Sequence, residues 1–532
     1  MPFLTWGLAT VLLASPAAFA LQGQPDDNRT LRRGLSNLPG SLDPQQHKTT
    51  NDSLLAIELF AGLVRLDPKG RVVADTASHW QVSEDGQVYR FFLRKDARWS
   101  DGQPLIAEDY ALAYQRILQG GQGTPMLFRS GLVSQPADSK AKMPGMFALS
   151  ETELEIRLSA ATGELLYWLT DTEAMPVPSH LYKHMGDEWV AKRPFVSNGP
   201  YTLQSFSPHL IQLTKNPLYH AAEEVGIEHV RYEILPANLS MGRYIAQTQA
   251  DIATDLAYYQ LQSAGRMAGY RVIRQLNNAL LMFYLNPQVE GLTDIRVRQA
   301  LNLAMDRQLM VNMRQKGEQA MFGLVPEQAD YPSEPEPAQT YPQMLAQAKQ
   351  LMSEAGYSHQ QPLKLELLTS DRDLSIKDSA MAIRIWAELP IEFTLNKQPF
   401  SQVVKRIYAG DFQVVRRIWQ TNHGDPLGML QIYLPQFAPL LYPTADAHIE
   451  QLLALCRSEP QHRFQHIKAL ERYLLQQVPS VPVLQNAKFQ LVSKRVAGWS
   501  DNSLARNESR WLTLKDGDQS STLNEVVRPV GH

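Results

Sequence analysis

The run YRFFLRKDARWSDGQPLIAEDYALAYQRIL, Tyr89 to Leu118, sets out a strand, a pinned turn and a helix in a single stretch. Tyr89 to Arg94 predicts the strand. Lys95 to Pro104 gathers charged residues with one glycine and one proline, and Trp99, with Trp80 upstream, supplies the large apolar group that anchors such a turn. Ala107 to Leu118 then predicts a helix: Tyr110, Ala111, Tyr114, Ile117 and Leu118 recur on one face, and Glu108 and Asp109 fall in the first turn, where the dipole favours negative charge.

Around this run lies a chain of 532 residues, 44% hydrophobic and 20% charged, with a formal charge of -3. That length exceeds what one core usually supports, so several folding units are expected. Without a basic excess there is no footprint for nucleic acid. Leu8 to Leu13 is mostly apolar and Ala18-Phe19-Ala20 has the form that signal peptidase cleaves, so a secretory signal ending at Ala20 is predicted. Its first residues lack the usual Lys or Arg, but the apolar run is short for a bilayer span. No cysteine stands directly after the cleavage site, which argues against a lipid anchor and for the periplasm. Cys456 is the one cysteine, on the apolar side of a helix, and is read as a buried structural thiol.

Further along, Thr30 to Leu35 predicts a strand, Ser53 to Phe60 a helix with Gly62 as its left-handed terminator, and Asp85-Gly86 a hairpin turn. Gly120 to Gly145 has loop composition, and the tail Gly517 to His532 is polar. In Asp294 to Met310, Val297, Ala300, Leu301, Ala304, Met305 and Leu309 fall at helical spacing, with Thr293 or Asp294 as cap and Arg296, Arg298 and Arg307 off the apolar face. Val230 to Leu235 predicts a strand and Ser240 to Gln249 a helix. Helices at Met344 to Ala355, Ile383 to Leu389 and Phe400 to Tyr408 alternate with strands at Leu363 to Leu368 and Ile391 to Leu395, the pattern of an α/β unit with a mainly parallel sheet. Ala447 to Gln477 is expected helical, and Val481 to Leu484 and Lys488 to Val492 are expected strands.

No catalytic pattern emerges. The chain has no His-Glu dipeptide for a zinc helix, no Gly-Lys for a phosphate loop and no G-x-S-x-G elbow. His462 and His466 lie four apart but lack a nearby third ligand, so a solvated helical face is the expected role and no metal or cofactor is assigned.

The run WSDGQPLIAEDY, preceded by YRFFLRKDAR, resembles the oligopeptide-binding family of bacterial extracellular solute-binding proteins, the receptors of peptide-importing ABC transporters. So do Ser41-Leu42-Asp43-Pro44, the LFAGL of Leu59 to Leu63, Asn198-Gly199-Pro200-Tyr201 and DIRVRQALNLAMDR from Asp294 to Arg307. Ile106 departs from the Thr that the family usually places as helix cap, and His220 from its Trp. The resemblance implies an α/β, bilobed periplasmic-binding-protein fold of class II type, in the large three-domain oligopeptide-receptor variant, with an interlobe ligand cleft. It implies a discontinuous first domain (21–65, 177–279 and 485–532), an inserted second domain (66–176) and a third domain (280–484). It further implies a monomer, not an enzyme, that closes on a peptide or peptide-like ligand and docks on an inner-membrane ABC permease.

The same resemblance places the ligand site on Phe412 to Pro426, FQVVRRIWQTNHGDP, and on the opposite edge at Lys48-Thr49-Thr50. Arg416 falls on an arginine used near a peptide's carboxylate, Trp419 on a cleft tryptophan and Phe400 on an aromatic wall residue. Asn422 replaces the aspartate that holds the peptide ammonium; Asp425 or Asp52 is the expected substitute, and His423 adds a titratable group. Lys48 stands where an acidic residue is common, so Arg416, Arg417 and Lys48 together suggest an acidic or carboxylate-bearing ligand. A periplasmic peptide hydrolase and a chaperone-like binder are the alternatives from other classes.

Overall fold

In the computed structural model, Trp99 is fully buried and its indole N–H donates to Asp109 Oδ2 at 3.0 Å. The same carboxylate accepts from the backbone N–H of Ile106 at 3.0 Å and of Ser179 at 2.9 Å. Asp109 therefore caps its own helix, Ala107–Gln119, from the inside, which is why an isoleucine can stand at the cap position. Burial pushes the Asp109 carboxyl up, against the pull of these hydrogen bonds.

The residues described are 29–35, 37–46, 49–119, 145–158, 164–234, 245, 248–254, 264–328, 331–421, 424–434, 446–459, 462–501 and 507–515. The expected signal segment, the loop after Gly120, most of the helix expected at Ser240 to Gln249 and the polar tail lie outside them. The strand predicted at Tyr89 is Val88–Leu93, the second strand of a four-stranded antiparallel sheet with Ala77–Val82, Glu153–Arg157 and Gly145–Ala148. Gly86 takes the positive φ of 67° that the hairpin turn requires.

The larger sheet has eleven strands. Its order is Ile391–Gln398, Leu363–Ser370, Val414–Gln420, Tyr270–Leu285, Ser480–Ser493, Ile252–Ala253, Thr30–Leu35, His229–Ile234, Leu210–Lys215 and Tyr201–Phe206, with Gln319–Ala320 paired to Ser480–Ser493. Two of these strands pass through both halves of the molecule. Tyr270–Leu285 and Ser480–Ser493 pair along nearly their whole length, but the register shifts between Leu276 and Leu280, where Asn277, Asn278 and Ala279 stand against Asn486. On one side of this bulge the strands join the Thr30–Leu35 half; on the other, Leu280 to Leu285 is wholly buried in the Val414–Gln420 half. The fold is bilobed, and the bulge lies at the crossing between the lobes.

Several sequence expectations change. Gly62 is not left-handed; the helix Thr50–Leu59 stops because Asn198 holds Ala61, its Oδ1 accepting from Ala61 N at 3.1 Å and its Nδ2 donating to Ala61 O at 2.9 Å. The helical block at Asp294 is two helices, Ile295–Leu303 and Arg307–Arg314, because Asp306 caps a new one through Leu309 N at 2.8 Å. Asp294 caps the first as expected. Arg298 and Arg307 are buried rather than off the core, and their guanidinium groups donate to the carbonyls of Leu292, Gln477, Met321 and Pro482, stitching the helices to the crossing strand. Ala447 to Gln477 is likewise two helices, Ala447–Ser458 and Arg463–Gln477. The two expected C-terminal strands are one, Ser480–Ser493.

Gly199 donates to Leu59 O at 2.8 Å, and a Cβ there would lie 2.5 Å from Leu59 C and Phe60 N, which are backbone atoms with nowhere to go. Gly199→Ala is expected to cost about 3 kcal/mol, read as a lower denaturation midpoint with native helix content below it; an unchanged midpoint would show that the two segments are not locked together.

Candidate functional site

The register of the large sheet locates the cleft. Ala279, at the crossing, pairs with Gln420, while Leu285, far from it, pairs with Val414. Leu363–Ser370 runs parallel to that strand and Ile391–Gln398 parallel to both, so Ser370, Gln398 and Gln420 are carboxyl ends pointing at the crossing. In the other lobe Ala253 pairs with Leu491, and Thr30–Leu35 and His229–Ile234 run parallel to Ile252–Ala253, so Leu35 and Ile234 also end towards it. Both lobes thus present the carboxyl ends of parallel strands to the same gap, where open α/β sheets bind ligands.

Polar atoms without partners collect beside this gap. Trp419 Nε1, Gln328 Oε1, Asn277 Oδ1 and Asn486 Oδ1 are buried and unpaired, while Gln328 Nε2 donates to Asn278 Oδ1 at 3.4 Å and Gln485 Nε2 to Asn277 O at 3.1 Å. Buried polar atoms are normally satisfied, so such a cluster is suited to receiving a polar ligand. It offers donors and acceptors for binding. Among the described residues no group of three or more His, Cys, Asp or Glu side chains is placed to hold a metal; His466 instead faces Glu459, Nε2 to Oε2 at 2.8 Å.

Arg416 is close to the cleft but its charge is already answered. Its Nη2 lies 2.7 Å from Asp378 Oδ2 and its Nη1 donates to Ser375 Oγ at 3.2 Å. Arg314 pairs with the other oxygen of Asp378 and, at 2.8 Å, with Glu318. Two guanidinium groups thus meet two carboxylates in a closed cluster, and burial pushes the Arg416 guanidinium down while Asp378 holds it up. Asp378 and Ser375 were not singled out from the sequence, although Ser375, Asp378 and Ser379 form a polar stripe on the buried face of the helix Asp373–Trp386. Phe400 opens the helix Phe400–Ala409 just past a strand end and is 44% exposed.

Asp425 is already paired with a cation of the protein. It is completely buried, caps the helix Pro426–Leu430 through Leu427 N at 3.0 Å, and binds both Nη atoms of Arg463, at 3.0 and 2.6 Å. Arg463 also lies 3.9 Å from Glu164, whose Oε2 accepts from Gln431 at 3.2 Å, so this cluster ties the four-stranded unit to the other lobe. Asp52 is committed as well, accepting from Gly40 N at 2.6 Å and Thr49 N at 2.9 Å in a capping box. Thr50 begins that helix. Lys48, Asn422 and His423 lie outside the described residues.

The bacterial extracellular solute-binding proteins, family 5 Middle, match residues 71–438. The chain belongs to this family. As a family 5 protein it is 27% identical over 532 residues to the periplasmic oligopeptide-binding protein OppA of Salmonella typhimurium, covering 94% of this chain and 97% of that one. It is also 27% identical over 488 residues to the probable deoxycholate-binding periplasmic protein YgiS of Escherichia coli, covering 87% and 89%. Its structure matches the unliganded open form of the periplasmic murein tripeptide-binding protein MppA with a TM-score of 0.82 at 25% identity, over 92% of this chain and 98% of that one. These relatives of the family 5 chain are periplasmic binding proteins. No helix among its described residues is long and apolar enough to cross a membrane.

Because Asp425 neutralises a buried guanidinium, Asp425→Asn is expected to cost about 3 kcal/mol of stability in a denaturant titration. A loss of ligand affinity with stability unchanged would instead make Asp425 a ligand group.

Proposed function

We propose that this protein is the substrate-binding component of an ABC importer, taking a peptide or peptide-like solute into the gap between its lobes, closing on it and presenting it to an inner-membrane permease. The observation that carries this reading is the pair of opposed strand-end surfaces joined through a bulged crossing. Closure puts both surfaces against one ligand, so binding energy stabilises the closed state only when a ligand spans the gap. Main-chain pairing to an extended ligand gives affinity without demanding a sequence, and unpartnered groups such as Trp419 Nε1 add polar contacts. The likeness to OppA and MppA supports the peptide class. The protein acts in the periplasm as a monomer without catalysis, after removal of its signal at Ala20 and without a lipid anchor. Its domains follow the division 21–65 with 177–279 and 485–532, then 66–176, then 280–484.

One observation favours a second reading, a non-peptide anionic solute. The carboxylates expected to replace the missing ammonium partner, Asp425 and Asp52, are both committed elsewhere. YgiS, whose name gives deoxycholate as ligand, shows as much identity as OppA.

Native mass spectrometry of the protein purified unrefolded from its own periplasm separates the readings. A ladder of short peptide masses lost on denaturation is the expected result. A single non-peptide mass would replace the peptide reading with the second, and cleavage of a bound peptide on incubation would overturn a purely binding role.

A further inference from the structure

Three strand ends bring a distinct group of side chains together on the cleft edge. Arg372 follows the carboxyl end of Leu363–Ser370 by two residues, Phe400 follows the end of Ile391–Gln398 by two, and Arg417 lies near the end of Val414–Gln420. Ser370 pairs with Gln398, and Leu368 with Val415, so all three stand at one level, facing the crossing. The Phe400 ring is the one aromatic among the exposed large hydrophobic side chains of the described residues. It has the Arg372 guanidinium carbon 4.6 Å and the Arg417 guanidinium carbon 5.8 Å from its centroid.

The charges of this group differ from those of its neighbours. Arg416 is neutralised by Asp378, Arg406 by Glu366 and Asp411, and Asp373 by Lys377. Neither Arg372 nor Arg417 has a carboxylate partner among the described residues, although Asp371 and Asp373 flank Arg372 in sequence. The ring orients the guanidinium planes without using their N–H donors, which leaves two forks free for an anion. The helix Phe400–Ala409 has no side-chain cap, so its positive end adds to the same field.

We propose that Arg372, Arg417 and Phe400 form a clamp on the cleft rim that takes a carboxylate of the bound solute between the two guanidinium groups while an adjoining apolar part of the solute covers the ring. Acidic peptides, or apolar carboxylates, are then the preferred cargo. This rests on the reading above that the gap between the lobes is the ligand site, and it moves the anion preference from Arg416, which is paired, to residues that are not. Closure strengthens the contact by removing water from it.

The test is calorimetric titration with two matched pairs of probes, each differing by one carboxylate: the C-terminal amides Ala-Glu-Ala-NH2 against Ala-Ala-Ala-NH2, and decanoate against decanol. The wild-type protein, Arg372→Gln/Arg417→Gln and Arg372→Lys/Arg417→Lys are compared. The wild type is expected to favour the acidic member of a pair by about tenfold. The glutamine variant should bring the two members to within about twofold while binding the neutral member as before, and the lysine variant should retain part of the preference, because the point charge survives without the fork. A preference that persists in the glutamine variant, or none in the wild type, overturns the clamp. If both tripeptides bind equally, the peptide reading stands and the clamp falls. If neither tripeptide binds but decanoate exceeds decanol with the same response to substitution, the clamp stands and the peptide reading falls. Failure of all four probes counts against both.

Discussion

The crossing of Tyr270–Leu285 and Ser480–Ser493 is the constraint on which the molecule depends. A continuous sheet through two lobes would hold them rigid, since bending a regular ladder breaks hydrogen bonds on both strands at once. Here the ladder is already interrupted between Leu276 and Leu280. The side chains that fill the interruption are mostly amides: Asn278 bonds Thr421, Gln485 bonds the Asn277 carbonyl, and Gln275 and Gln490 meet at 2.7 Å. Such bonds contribute about 1 kcal/mol each and can be exchanged for water, whereas parting a packed apolar seam exposes its whole area. Leu280 to Leu285, just beyond, is wholly buried, so flexibility is confined to the place where the strands are polar.

A second link lies beside the first. Glu164 reaches from the four-stranded unit to Arg463 and Gln431, and a Cβ on Gly424 would lie 3.6 Å from the Gly70 carbonyl. The Asp425–Arg463 pair therefore braces a contact between lobes as well as a helix end. This accounts for the complete burial of a carboxylate so close to the cleft. The electrostatics of the site are in this respect divided: buried charges such as Arg416, Arg314, Asp378 and Glu318 close on one another and hold structure, and the charges left open sit at the exposed rim around Phe400.

Much of the fold was legible because its signals are local. The Trp99 anchor, the Gly86 turn, the strand Thr30–Leu35 and the alternation of helix and strand after Tyr341 can each be read within a short window. The family motifs were also legible, and the structure gives two of them a shared reason, since Asn198 and Gly199 bind the backbone of the LFAGL segment across more than a hundred residues of sequence. What failed was long range. Arg298 and Arg307 looked exposed because the carbonyls that accept from them belong to distant segments. Asp425 looked available because Arg463 is 38 positions away. In the same way Arg372 drew no attention, its partner ring lying on another strand end.

Closure about the bulged crossing is the central claim, and the distance between the lobes measures it. Spin labels on cysteines introduced at Leu218 in one lobe and Lys364 in the other occupy exposed positions, while the native Cys456 is buried. Pulsed electron–electron resonance with and without saturating bound ligand reports their separation. The account predicts a longer, open distance in the free protein that shortens when ligand binds. An identical distance distribution in the free and the ligand-saturated protein would contradict it.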